Sequence, residues 1–389
     1  MLYRRLGARG PDVSVLGFGC MRLPVIDGRH DRIDHPVATA MLHRAIELGV
    51  DYVDTAYPYH GVSHAEPGTS EAFVGDALQG GYRARVRVAT KLPSWLVQTR
   101  ADMDVFLNGQ LERLRTDFVD CYLLHGLNAD SWKRLQALGV SEFLDAALAD
   151  GRIKHAGFSF HGEAAAFAPI VDAYDWTFCQ IQYNYMDTEY QAGTAGLRYA
   201  AARGLGVIVM EPLRGGRLAQ RVPPEIQAVW DRAPVSRTPA AWALRFVWND
   251  PDVSMLLSGM GAMEQLVENV GTAAQAHPRS LSSGEMASIA EVRDAYRRRV
   301  KADCTECRYC LPCPSGVDIP AVIAHLNDAA LYGDIAGARD VYLVRGVGKA
   351  SLCTACAACE ELCPQGLPIM ELMEEAVEWF ETEADRPEA

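Results

Sequence analysis

The run DYVDTAYPYHG, residues 51–61, begins at Tyr52 and Val53 like a buried strand and then places an aspartate, Asp54, and a tyrosine, Tyr59, five positions apart. Ionisable groups are costly where a strand runs out, unless strand ends gather around a pocket. The rest of the chain says that they do. Seven more short runs rich in β-formers lie between residues 13 and 260: VSVLGFG (13–19), VRVATKL (86–92), FVDCYLLHG (118–126), IKHAGFSF (153–160), FCQIQYN (178–184), GVIVMEPL (206–213) and VSMLLSGM (253–260). Stretches of helical period separate them, among them PVATAMLHRAIELGV (36–50), TSEAFVGDALQG (69–80) and ADMDVFLNGQLERLR (101–115). Eight strand–helix units in this length predict an α/β fold, a closed parallel (β/α)8 TIM barrel over residues 1–278. The alternative, an open doubly wound sheet, normally carries G-x-G-x-x-G after its first strand, and GFGCMRLP (17–24) lacks that spacing. A bridging helix is expected over 279–301, and a second, cysteine-rich domain over 302–389.

Composition narrows the function. The chain has 389 residues and a net charge of -13, which argues against nucleic acid as a partner, because such binders gain affinity from clustered Lys and Arg. No apolar run approaches the roughly 18 residues of a membrane span. The start, MLYRRLGARG, has arginines but no apolar segment or cleavage site behind them, so a cytoplasmic location is expected. Eight of the 11 cysteines fall between Cys304 and Cys363, and in a reducing compartment such crowding points to metal ligation rather than disulfides. Cys20, Cys121 and Cys179 read as small buried hydrophobes.

In a (β/α)8 barrel, chemistry sits at the carboxyl ends of the strands. Asp54 and Tyr59 follow the second strand, Lys91 ends the third, and His125 ends the fourth. Singly each has a plain structural reading: a turn former, a wall residue, a snorkelling lysine, a core histidine. Together they make a proton donor. An ammonium at Lys91 favours the Tyr59 phenolate and would make the phenol more acidic, Asp54 would keep Lys91 charged, and a neutral His125 would orient a substrate carbonyl. The chemistry this suits is carbonyl reduction, with hydride arriving at carbon and a proton at oxygen. Arg22, after the first strand, reads as an ion-pair residue or a contact for an anionic substrate, and Trp95 as a pocket wall.

With DTAYPY (54–59), ATK (89–91) and YLLH (122–125) in order, the first 275 or so residues resemble the aldo/keto reductases. That resemblance implies a catalytic tetrad at Asp54, Tyr59, Lys91 and His125, an N-terminal hairpin under the barrel, and a bound NADP or NAD. It puts the nicotinamide amide at Ser159 in GFSFHG and Gln180 in CQIQYN. It adds Met210, where many members stack a tyrosine on the nicotinamide; the pyrophosphate falls on MEPLRGGRL, with Pro212, Leu213 and Arg214, and the adenosine phosphate on SGMGAMEQLVENV, with Gly259, Gln265, Glu268 and Asn269. Three features depart from the family pattern. Met210 stands where many members have a tyrosine; the adenosine segment lacks a Lys or Arg for a 2'-phosphate, with Arg214 a possible substitute; and HGVSHAEPGTSE (60–71) is longer than usual.

The second region contains CTECRYCLPCP (304–314) and CTACAACEELCP (353–364). Cys353, Cys356, Cys359 and Cys363 match the C-x2-C-x2-C-x3-C-P pattern of bacterial ferredoxins; Cys304, Cys307, Cys310 and Cys313 differ by one residue in the last gap. Two-residue gaps wrap three corners of a cubane, and in two-cluster ferredoxins the fourth cysteine ligates the other cluster. This resemblance implies two [4Fe-4S] clusters, one on Cys304, Cys307, Cys310 and Cys363, the other on Cys353, Cys356, Cys359 and Cys313. The phrases SGVDIP and QGLPIM after each Cys-Pro mark an internal repeat, and the helical readings between them predict a mainly α-helical ferredoxin-like iron-sulfur domain. Zinc is the alternative occupant.

The leading expectation is thus a nicotinamide-dependent carbonyl/alcohol oxidoreductase acting on a small molecule, with two clusters for electron transfer or structure. Two alternatives are an oxidoreductase linked to a ferredoxin-like electron partner and a nicotinamide-sensing module with little turnover. Hydride carries two electrons and clusters pass one, and no flavin motif is present to convert between them.

Overall fold

The computed structural model describes residues 1–220, 222–304, 307–345 and 348–381. They form two compact units, one of residues 1–215 and 237–283, the other of residues 216–236 and 284–389.

The first unit opens with an antiparallel hairpin, β1 (Tyr3–Arg5) and β2 (Asp12–Ser14), with Tyr3 opposite Ser14. Eight parallel strands follow: β3 (Leu16–Gly19), β4 (Tyr52–Asp54), β5 (Arg87–Leu92), β6 (Val119–Leu127), β7 (Ile153–Phe160), β8 (Phe178–Gln182), β9 (Gly206–Met210) and β10 (Val253–Ser258). They close into a barrel because β10 pairs with β3 as well as β9. The run VSVLGFG is therefore two strands, the hairpin arm and the first barrel strand. The run GVIVMEPL stops at Met210, where Glu211 takes a left-handed φ of 57° and turns the chain.

Side chains alternate as a pleat requires. Tyr52, Ala89, Cys121, Leu123, Phe178, Ile208 and Met255 fill the barrel's interior, while Val53, Val88, Tyr122 and Phe158 face the helices. Leu6 and Val13 of the hairpin join the interior cluster, so the hairpin plugs the barrel's amino end. Gly7 makes this possible: it bridges Leu205 with φ 67°, and a Cβ there would lie 2.3 Å from the Gly206 nitrogen. Arg4 fastens the plug by donating to the carbonyls of Trp248, Asp250, Val253 and Ala276.

The second unit is helical, with helices Ser283–Arg297, Ile319–Tyr332, Ile335–Arg345 and Ile369–Phe380. Its core combines Val317, Ile323, Leu326, Tyr342, Leu372 and Phe380. The segment 216–236, read from sequence as part of the barrel, belongs here. Arg217 pairs with Asp328, and Glu225 with Arg299, whose Nε also donates to the Ala330 carbonyl at 2.8 Å. The sequence carried no sign of this excursion, because ion pairs across about 70 to 110 positions leave no local pattern. The helix expected over 279–301 is found at Ser283–Arg297 and, from Gly284 on, lies within the second unit.

Candidate active site and cysteine centre

Three adjacent strand ends, of β4, β5 and β6, assemble the barrel's polar cluster. Asp54 is the last residue of β4, and Thr55 stays in line with β5 through its N–H to the Ala89 carbonyl. Lys91 projects inward from β5 with no exposed surface. Its Nζ donates to Asp54 Oδ1 at 2.7 Å, to the Thr55 carbonyl at 2.9 Å and to Tyr59 Oη at 3.3 Å. Three donors thus meet three acceptors, which is what a buried ammonium needs. The His125 ring stands edge-on to the Tyr59 ring at 6.1 Å, and Trp95 lies 5.2 Å from His125 on its other side. The four residues expected as a tetrad are brought together, with Trp95 beside them.

The long connection after Tyr59 is tied down. His60 has a left-handed φ of 58° and is fully buried. Its Nε2 accepts from the Leu23 N–H at 3.2 Å, so its Nδ1 is the protonated nitrogen and donates to the His30 carbonyl at 2.6 Å. Further along, the His64 carbonyl accepts from Trp95 Nε1 at 2.9 Å. The extra length flagged in the sequence thereby builds one wall of the mouth. His64 and His161, which sequence reasoning did not single out, stand near His125. Their neighbourhood arises from separate loops, and nothing local announces it.

Electrostatics set the protonation states. Burial alone would depress Lys91, but the Asp54 carboxylate and Tyr59 hydroxyl reverse this and hold it above its ordinary value. Burial pushes the Asp54 carboxyl up, with Lys91 opposing. Burial also pushes the Tyr59 phenol up, and Lys91 offsets only part of that. The expectation of a phenol made more acidic is therefore corrected: desolvation outweighs the ammonium, and Tyr59 is a protonated phenol at neutral pH. Burial, Lys91 and the two neighbouring histidines all push His125 well below its usual range, so it is a neutral imidazole.

Around this cluster lie the residues expected to meet a dinucleotide. Ser159 Oγ accepts from the Gly126 N–H at 2.8 Å, and Gln180 donates to Met210 Sδ at 3.5 Å. Pro212 and Leu213 lie in the turn after β9, where Arg214 takes φ 49° and pairs with Asp187 at 3.3 Å. Gly259 packs against the Arg22 side chain, whose guanidinium stands 4.0 Å from Glu211, the ion-pair reading of Arg22. Gln265 Oε1 accepts from the Gly261 N–H at 2.9 Å, Glu268 accepts from Thr238, and Asn269 donates to Ser258 Oγ at 3.1 Å. Three buried polar atoms at the barrel's carboxyl end, Asp54 Oδ2, His125 Nδ1 and Gln180 Oε1, have no protein partner. Buried polar atoms are normally satisfied, so these three suit a polar ligand.

In the second unit the thiols sort into two hollows. One, of about 190 Å³, is lined by Cys313, Cys353, Cys356 and Cys359, and also by Cys310, which lines both hollows. A narrower one, about 20 Å³, is lined by Cys304, Cys307, Cys310 and Cys363. Cys313 and Cys363 thus face the hollow of the opposite motif. Burial and the nearby Cys304, Cys307 and Cys363 thiols push Cys310 up. The sequence repeat is also a conformational repeat: Arg308 and Ala357 share a left-handed φ of 64° and 61°, and the N–H groups of Gly316 and Gly366 donate at 3.0 Å to the carbonyls of Cys313 and Cys363. Among the described residues, no three Cys, His, Asp or Glu side chains converge on a single-ion site. Thiols spread around a hollow suit a group with several corners better than one zinc ion, which draws sulfurs to about 2.3 Å.

Barrel, mouth and thiols together define an oxidoreductase joined to an iron-sulfur unit. The aldo/keto reductase family profile matches residues 15–294, and the chain belongs to that family; a 4Fe-4S dicluster domain matches residues 303–367. Over 135 residues the chain is 34% identical to the uncharacterized oxidoreductase YqkF of Bacillus subtilis (strain 168), a match spanning 32% of this chain and 39% of that protein. The aldo-keto reductase AKR11C1 from Bacillus halodurans has the same barrel: its holo form superposes with TM-score 0.61 at 24% identity, its apo form with 0.58 at 25%, each over 75% of this chain and 96% of the other. Among the described residues no helix is long and apolar enough to cross a membrane.

The buried pair gives a stability test that requires no substrate. Lys91→Met leaves Asp54 buried without its cation and should lower unfolding free energy by about 3–5 kcal/mol. Adding Asp54→Asn should recover part of that loss in urea denaturation of the same chain.

Proposed function

We propose that the protein interconverts a carbonyl and an alcohol by hydride transfer with NAD(P)(H), Tyr59 being the proton donor. The observation that carries this reading is the buried Lys91 ammonium bonded to both Asp54 and the Tyr59 hydroxyl at the barrel's carboxyl end. The three unpartnered polar atoms beside it fit a nicotinamide nucleotide. Ser159, Gln180 and Met210 would hold its nicotinamide end, Pro212, Leu213 and Arg214 its pyrophosphate, and Gly259, Gln265, Glu268 and Asn269 its adenosine end. When bound, it supplies or accepts the hydride.

The chain's own residues do the rest. Tyr59, kept protonated by burial, gives its proton to the carbonyl oxygen as negative charge grows there. Lys91 then stabilises the phenolate, and Asp54 keeps Lys91 charged. Neutral His125 donates a hydrogen bond that orients the carbonyl. Because the raised phenol stays protonated through neutrality, reduction should hold steady through neutral pH and fall only where a phenol begins to ionise, whereas alcohol oxidation, which needs the phenolate, should climb with pH. Tyr59→Phe should cut turnover by at least about 10²-fold and leave nucleotide binding nearly intact; retention of wild-type turnover in that variant removes Tyr59 from the chemistry, and a wild-type chain inactive on a broad carbonyl panel favours the sensing role.

Of the two nucleotides, NAD fits better. The adenosine segment carries Glu264 and Glu268 and no cation, and Arg214, the candidate substitute, is already paired with Asp187. A 2'-phosphate would meet like charge. Comparison of kcat/KM for NADH and NADPH should favour NADH by about tenfold or more, a difference of about 1.4 kcal/mol.

Two [4Fe-4S] clusters are proposed for the second unit, with Cys304, Cys307, Cys310 and Cys363 on one and Cys313, Cys353, Cys356 and Cys359 on the other. Cys307 and Cys356 are exposed, one on each set, which favours electron exchange with a ferredoxin-like partner over a purely structural role. Cys363→Ala should halve the bound iron and spare the cluster of the 190 Å³ hollow; equal loss from both would contradict the crossed ligand sets. Clusters that stay silent in paramagnetic resonance at every potential tried, with NADH or with a one-electron donor, would argue for scaffolding.

A further inference from the structure

Behind Lys91, on the helix side of the barrel wall, lies a polar cluster that the proton-transfer scheme does not use. Glu71, Thr90, Gln110 and Tyr122 are all fully buried there, and Arg113 reaches in from the surface. Gln110 sits on the helix Arg100–Arg113 and is the hub. The two hydrogens of its Nε2 are shared among Glu71 Oε1 at 2.7 Å, Thr90 Oγ1 at 3.1 Å and the Lys91 carbonyl at 3.0 Å. Its Oε1 accepts from Tyr122 Oη at 2.8 Å. The amide orientation is forced, because a flipped group would set its oxygen against the Glu71 carboxylate and the Lys91 carbonyl.

We propose that Gln110 is a positioning residue for Lys91, coupling the strand that carries the ammonium to the segments that carry Tyr59 and His125. Glu71 lies on the helix Ser70–Ala77, whose first residue donates its N–H to the Tyr59 carbonyl at 3.2 Å and whose Ser70 hydroxyl bonds Thr55 Oγ1 at 2.8 Å. Arg113 holds the other oxygen of Glu71 at 2.7 Å. Tyr122 is on β6, three residues before His125. One amide therefore ties β5, β6 and the helix after Tyr59 to a common point, and that point grips the backbone of Lys91 itself. The Lys91–Tyr59 contact, at 3.3 Å, is the longest of the ammonium's three, so a shift of β5 loosens it first. Misplacement of a reacting group by about 1 Å costs on the order of 10²-fold in rate.

The inference rests on Tyr59 and Lys91 serving in proton transfer, and the test separates the two. Gln110→Leu, Tyr122→Phe and Lys91→Met are made in the full chain, purified anaerobically. Each is assayed with NADH and a panel of aldehydes and ketones for kcat, KM, nucleotide affinity by fluorescence titration, and the pH profile of kcat. Gln110→Leu should lower kcat about 10- to 100-fold with nucleotide affinity unchanged. It should also move the high-pH limb of reduction upward, because a displaced Lys91 offsets less of the burial of Tyr59. Tyr122→Phe, which removes one hydroxyl, should move both in the same direction by less, and it decides the matter alone if Gln110→Leu does not fold. A merely structural role would lower the melting temperature and leave the limb where it is. Should both variants keep wild-type kcat and limb while Lys91→Met is inactive, the positioning role is wrong and proton transfer stands. Full turnover by Lys91→Met, or none by the wild-type chain on the panel, overturns both.

Discussion

A single ammonium with no access to water organises the barrel. Burying a lone charge costs several kcal/mol even after relaxation, so the fold must supply Lys91 with acceptors on every side. Asp54, the Thr55 carbonyl and the Tyr59 hydroxyl meet that demand, and all three come from the strand and turn adjacent to β5. The register between β4 and β5, with Asp54 opposite Ala89, fixes where they arrive. A parallel barrel brings neighbouring strand ends out on the same face, which is why side chains 37 positions apart in sequence can share a proton-bearing site. The plug of Leu6 and Val13 at the opposite end, held by Arg4, keeps water from reaching the same interior from below.

The direction of the Tyr59 shift follows from that burial. A nearby cation lowers a phenol's pKa and desolvation raises it, and here desolvation is the larger effect. The consequence for chemistry is favourable in one direction. In the proton transfer proposed for Tyr59 the donor would have to hold its proton until charge develops on the acceptor, which a phenol protonated through neutrality can do, and the ammonium would then act on the phenolate left behind.

Much of this was legible in the sequence, and the reasons are local. Strand runs alternate with helical periods, so the eight units could be counted; DTAYPY, ATK and YLLH each sit at the end of one unit, so the four polar residues could be gathered without knowing a distance. The cysteine motifs are likewise short-range patterns, and the repeat of Arg308 and Ala357 in one backbone conformation is the physical form of the repeat in their spacing. What escaped is long-range. Arg4 finds carbonyls near 250 positions away, Gln110 looks like any polar residue on a helix, and the segment 216–236 joins the second unit through Arg217 and Glu225, whose partners lie about 110 and 74 residues further on. The sign of the Tyr59 shift escaped for another reason: it depends on how two opposing effects compare, and only burial decides that.

The two chemistries proposed for this chain need not depend on each other. The hydride transfer proposed for the barrel would be complete in itself, moving two electrons and requiring none from iron. One-electron chemistry at the cysteine unit would need an acceptor able to take electrons singly, and no flavin motif in the sequence offers one inside the chain. The exposed Cys307 and Cys356 would be reachable by such an acceptor from outside the chain. On that proposal a partner protein is the economical source of one-electron chemistry, while the reaction proposed for the barrel would depend on how firmly β5 holds Lys91 against Tyr59.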